Sequence, residues 1–224
     1  MSQERKDYIY KLILKTYRKC NISKFPFDCK KVLKAYGYEC KAYSSLSEKK
    51  RKICLEISND ACIMNGIIYY NDMVSQGRIP FTLMHELAHI LLEHIIKDEI
   101  EEDEADYFAS CILAPRIMIH HLKQTNKYSQ VTADDIHEYF GISISAANRA
   151  LMDYHNWFEN IAHTTRKPTD TELAIKDLFV EKPKPKLVRN RKKEQNNNVI
   201  RYLLDTSNDE YFIQQMEHRR AEPY

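Results

Sequence analysis

Apolar residues fall on one side of a helical period at the start of the chain. Tyr8, Ile9, Leu12, Ile13 and Tyr17 mark residues 3–18 as an amphipathic helix. Phe25-Pro-Phe-Asp28 then opens a short helix that stops at Gly37, a residue suited to a left-handed cap. Residues 38–43 read as a strand and residues 44–52 as an exposed loop. Two short apolar runs, Ala61-Cys-Ile-Met64 and Ile67-Ile-Tyr-Tyr70, flank Asn65-Gly66, the pair that fits a type I′ turn between twisted strands. A small sheet is therefore expected before the next helix.

The helical stripe returns in Phe81, Met84, Leu87, Ala88, Leu91 and Leu92. Pro80 suits the first turn of that helix, where its missing N–H would have no partner anyway, and the helix is expected to end around His94 to Lys97. A short turn then folds back a second helix, anchored by Phe108, Ile112 and Leu113 and closed at Pro115. Ala105 and Ala109 on it are small enough for close approach to the first. Residues 131–157 have a helix-turn-helix outline, with Thr132 and Ser143 as caps and Gly141 in the turn. Leu173, Ile175, Leu178 and Phe179 predict one more amphipathic helix over 169–180. Residues 181–198 read as a basic, proline-punctuated linker, and 199–204 and 210–216 as short pieces that carry apolar residues.

A chain of 224 residues that is 43% hydrophobic can bury one substantial core and a small appendage. No apolar run approaches the roughly 18 residues needed to cross a bilayer, and the mean hydropathy is −0.58, so no membrane association is expected. The six cysteines have no C-x-x-C spacing and the start lacks an apolar leader, which together point to reduced thiols in a cytoplasm. A net charge of +2 is too small to imply a nucleic-acid partner.

The chemistry concentrates in the central stripe. His85 and His89 lie one helical turn apart on a common face, with Glu86 beside the first, which is the H-E-x-x-H arrangement of zinc peptidases. Two neutral imidazoles can hold one Zn²⁺ per chain, and Glu86 is placed to take a proton from a water acidified by the metal. A catalytic zinc takes a third protein ligand, commonly a carboxylate beside two histidines. Glu102 is the candidate over Glu101 and Glu104, because Asp106 follows it by four residues and can accept the N–H of a ligand histidine. Glu99, Glu101 and Asp103 read as acids that solvate a helix N-terminus.

Residues 78–92, followed by Glu102-Asp-Glu-Ala-Asp-Tyr-Phe-Ala109 and Leu113-Ala-Pro115, resemble the ImmA/IrrE family of bacterial metallopeptidases. The likeness extends in layout over about residues 5 to 155 and is most specific in the two metal-bearing segments. It departs from the commonest pattern at Ala88 and Pro80, neither of which is a ligand position. The resemblance implies an α+β fold: a zincin-like metallopeptidase domain over 1–165 with a small sheet and a two-helix metal site. The helix-turn-helix-like segment falls inside it, and a C-terminal extension over 166–224 carries a flexible tail. It implies a cytoplasmic enzyme that cuts a transcriptional repressor of a phage, mobile element or stress regulon. His85, His89 and Glu102 then match the family's metal ligands and Glu86 its catalytic glutamate.

Further readings accompany this one. The Ile67–Tyr70 side of the sheet is a candidate cradle for an extended substrate peptide, with a purely structural sheet as an equal alternative. His94, His120, His121 and the tyrosines are candidates for stabilising an oxyanion, with no role assigned. The first helix of the helix-turn-helix outline carries Asp134, Asp135 and Glu138 and the second offers only Arg149, so packing or substrate docking is expected there rather than DNA contact. The alternative to an enzyme is a regulator with the same fold that binds a repressor or DNA without hydrolysis.

Overall fold

Ser2 accepts the backbone N–H of Arg5 and so opens α1 (Gln3–Lys19) in the computed structural model, which describes residues 1–75, 77–96, 98–125, 130–162 and 167–180. The buried face of α1 is Ile9, Tyr10, Ile13, Thr16 and Tyr17; Tyr8, expected inside, lies outward, and Tyr10 takes its place. Asp28 caps α2 (Cys29–Ala35) through the N–H groups of Lys30 and Lys31. Gly37, at φ 88°, turns the chain so that the Tyr38 N–H reaches the Leu33 carbonyl and closes the helix end.

β1 (Glu39–Ala42) follows, and the loop expected over 44–52 is instead a 3-10 turn, Tyr43–Ser45, and α3 (Glu48–Ile57). Only Cys54 of α3 is buried, so the apolar stripe that would announce the helix is one residue wide. Cys54, Tyr43 and Cys62 form a small satellite cluster beside the main core. β2 (Ala61–Met64) and β3 (Ile67–Tyr70) are joined by Asn65 and Gly66 at φ 51° and 73°, the left-handed pair that a type I′ turn needs.

The strand order is β1-β3-β2, with β3 parallel to β1, Glu39 opposite Ile67, and antiparallel to β2, Ala61 opposite Tyr70. β3 is paired on both sides. Ile67–Tyr70 therefore has no free edge to offer a peptide, and β1 and β2 are the edge strands of this sheet.

The sheet leads into α4 (Ile79–Leu91) and α5 (Glu99–Leu113), which pack along each other with Ala88, Ala105 and Ala109 fully buried. Beyond them lie α6 (Arg116–Thr125), α7 (Ala133–Phe140), α8 (Ile144–Ala162) and α9 (Asp170–Phe179). Thr132 and Asp135 form a capping box at α7, Gly141 is left-handed at φ 68°, and Ser143 accepts the Ala146 N–H at the start of α8. The fold class is the expected α+β.

α9 lies beyond the boundary expected at residues 165/166 and packs on the elements before it. Thr169 and Glu172 cap α9, Glu172 is 1% exposed and accepts the Arg116 guanidinium at 2.8 Å, and Phe179 stacks on Phe25 at 4.3 Å. α9 thus belongs to the same compact unit as α4. The ion pair that ties it there joins residues 56 apart, a contact no local pattern announces. The basic linker 181–198, the pieces 199–204 and 210–216 and the tail lie outside the described residues. Among the described residues no helix is long and apolar enough to cross a membrane. All six cysteines are free thiols.

Candidate metal centre

α4 ends earlier than the sequence suggests. Its last residue is Leu91, Leu92 caps it, and Glu93 adopts a left-handed φ of 58° that sends the His94 N–H back to the His89 carbonyl at 3.0 Å. This early stop folds His94 beneath the helix instead of leaving it on the last turn. Glu101, expected to be a solvated acid, holds the turn: its carboxylate accepts the N–H groups of Ile95 at 3.3 Å and Ile96 at 3.0 Å. Asp98 caps α5 through the Glu101 N–H.

With the turn fixed, three donor atoms from two helices meet. His85 Nε2 and His89 Nε2 are 2.9 Å apart, Glu102 Oε2 is 3.2 Å from the first and Glu102 Oε1 is 3.3 Å from the second. All ligand atoms of this set lie within 4.8 Å of one another. Tetrahedral zinc at roughly 2.0 Å from each ligand places neighbouring ligands about 3.3 Å apart. The observed separations fit that figure. Glu102 keeps 44% of its side chain exposed, so the cluster is open on that side.

The hydrogen bonds behind the cluster decide the tautomers. His85 Nδ1 lies 2.8 Å from Asp106 Oδ1, so its proton sits on Nδ1 and the Nε2 lone pair faces inward. His89 Nδ1 meets His94 Nδ1 at 3.0 Å, and His94 Nε2 meets Glu104 Oε2 at 3.1 Å. The Glu104 carboxylate accepts the His94 Nε2–H, which leaves His94 Nδ1 as an acceptor for the His89 Nδ1–H. Both Nε2 lone pairs and a carboxylate therefore converge on one point, an arrangement that a divalent cation would satisfy.

Glu104 is held in turn by Arg5 of α1, through Nε at 2.7 Å and Nη2 at 2.5 Å. The Arg5 hydrogen bond is the largest influence on Glu104 and keeps its carboxyl below the usual range, so it stays an anion facing His94. Burial disfavours the charged form of His85, but the Asp106 hydrogen bond and the charges of Asp106, Glu102 and Glu86 outweigh it, and the pKa is raised.

Glu86 is 5% exposed and borders, together with His85, Glu102 and Asp106, a cleft of about 1290 Å³. Ala61, Cys62 and Ile63 of the edge strand β2 form one wall of it. Cys111, at another wall, has its thiol pushed up to about 12 by burial and is not a nucleophile at neutral pH.

All five residues singled out from the sequence, His85, Glu86, His89, Glu102 and Asp106, are at this site. Of the other histidines considered, His94 is the buried partner of His89, and His120 sits against Tyr154 and Trp157. What sequence reasoning missed is the line from His89 through His94 and Glu104 to Arg5. Its ends are 99 positions apart in Arg5 and Glu104, and only the tight turn at Glu93 brings His94 into reach.

Residues 42–152 match a family model, Peptidase_M78, described as an IrrE N-terminal-like domain. The matched stretch includes His85, Glu86, His89, His94, Glu102, Glu104 and Asp106, and leaves out α1, α2 and α9. No curated protein matches the chain.

Proposed function

Taking as premise that this chain belongs to the ImmA/IrrE family of metallopeptidases, we propose that it is a zinc-dependent endopeptidase that cuts a specific protein, a transcriptional repressor of a phage, mobile element or stress regulon. The observation that carries the reading is the convergence of His85, His89 and Glu102 on one point beside the buried Glu86. Two nitrogens and one carboxylate are the donor set of a hydrolytic zinc site, which holds three protein ligands and leaves a fourth position open.

When bound, zinc supplies Lewis acidity, lowering the pKa of a water and polarising the scissile carbonyl. Glu86 accepts the proton of the attacking water and delivers it to the leaving nitrogen. Its burial keeps competing water away from that carboxylate. Asp106 and His94 hold the two imidazoles in the tautomer that presents Nε2. An extended substrate segment lies along β2, an edge strand whose residues Ala61, Cys62 and Ile63 line the cleft. A base beside the metal ligands serves no purpose in a protein that only binds, which favours hydrolysis over the regulator reading.

The test is Glu86→Gln, incubated with the product of a neighbouring repressor gene. The wild type is expected to cleave it in a chelator-sensitive way, and the variant to hold zinc and cleave nothing. Cleavage by the variant at the wild-type rate overturns the role of Glu86.

A further inference from the structure

We infer that the exposed face of α8 is the wall of the cleft that selects the substrate, with Arg149 as the group that binds an acidic side chain of the protein to be cut. This rests on the peptidase reading and adds the chemistry of the substrate to it.

α8 is the second helix of the helix-turn-helix outline, the element whose outer face a DNA reader would present to bases. Its inner face is occupied, with Ala147, Tyr154 and Trp157 buried. Ser145, Arg149 and Asp153 follow one another at intervals of four residues and share one face. All three border the same cleft as His85, Glu86 and Glu102. The start of α8 is also fixed against the start of α4, since Gly77 and Ser143 are in backbone contact so close that a Cβ at Gly77 would lie 2.8 Å from the Ser143 nitrogen. A helix face built into the cleft in this way is oriented towards a ligand of the metal centre.

The charges along the cleft say what that ligand carries. Arg78 is answered by Asp60 at 2.8 Å. Among the described residues Arg149 has no ion-pair partner. The acids at the metal end, Glu86, Glu102 and Asp106, repel a carboxylate, so a substrate acid finds its favourable place opposite Arg149 and not next to the metal. Asp153, one turn further along, bars a second acid there and favours a basic or neutral neighbour.

The experiment is cleavage-site profiling of the zinc-loaded, full-length protein on proteome-derived peptides and on a native lysate of the source cells, for wild type and Arg149→Glu. Zinc content serves as the check that the variant is folded. Asp or Glu is expected to be enriched about fivefold at one position near the cut, the size an exposed ion pair allows, and Arg149→Glu is expected to lose that enrichment or exchange it for Lys and Arg at unchanged zinc content. An unaltered preference in the variant, or no acidic preference in the wild type, overturns the inference and leaves the peptidase reading standing. Absence of chelator-sensitive cleavage in both samples overturns the two together. Retardation of duplex DNA by the wild type that Arg149→Glu abolishes would assign the face to a DNA groove instead and also overturn the inference.

Discussion

Gly77 and Ser143 touch through their backbones, at the point where the metal helix and the second helix of the helix-turn-helix segment both begin. A methyl group at Gly77 would meet the Ser143 nitrogen at 2.8 Å and its Cα at 2.9 Å, and main-chain atoms at a helix start do not move aside as a flexible side chain would. Gly77→Ala is therefore expected to cost about 1–3 kcal/mol of stability, as overpacking does, and to displace α8 relative to α4. Thermal unfolding and zinc content check this together: Tm falls while zinc stays bound. An unchanged Tm contradicts the contact.

The line His89–His94–Glu104–Arg5 gives a graded expectation. His94→Ala removes the acceptor that orients the His89 ring, and the loss of such an outer partner typically lowers metal affinity by about 10- to 100-fold. Arg5→Ala acts one step further out, on Glu104, and is expected to lower it less. Competition with a chromophoric chelator measures both. If Arg5→Ala weakens zinc binding more than His94→Ala, the order of the line is wrong.

His120 carries a pH dependence. Burial, with help from the neighbouring Lys123, Lys176 and His121, depresses its pKa to about 4 from an ordinary 6.5. Its folded value lies below its unfolded one, so the unfolded chain takes up a proton that the folded chain refuses. Stability is therefore full above pH 6.5, declines as the pH falls towards 4, and has lost about 3 kcal/mol at most when both forms are protonated. His120→Gln is expected to flatten that part of the curve in chemical unfolding followed from pH 7 to pH 4. An identical slope in the variant contradicts the assignment.

Much of this was legible in the chain because the informative signals were local. The spacing of His85 and His89, the offset of Asp106 from Glu102, the Asn65-Gly66 turn and the caps at Thr132, Gly141 and Ser143 all lie within a few residues of what they organise. α3 escaped because a helix with one buried residue has no stripe to read. The true end of α4 escaped because Glu93 adopts a conformation that glycine usually supplies, held by Glu101 from the following helix. The central place of β3 is not legible locally, because pairing on its second side, with β1, is a long-range contact. Arg5, Glu104, Arg116 and Glu172 share that property: each looks like an ordinary surface charge until its partner arrives from a distant part of the sequence.

The central claim is that two histidines of α4 and one glutamate of α5 hold a single zinc ion, with Glu86 outside the ligand set. Zinc analysis after exhaustive dialysis tests this most directly, on wild type, Glu86→Gln, His89→Ala and Glu102→Ala. One equivalent is expected in the first two and a loss of tight binding in the last two. Full retention of zinc by Glu102→Ala, or its absence from the wild type, would contradict the account.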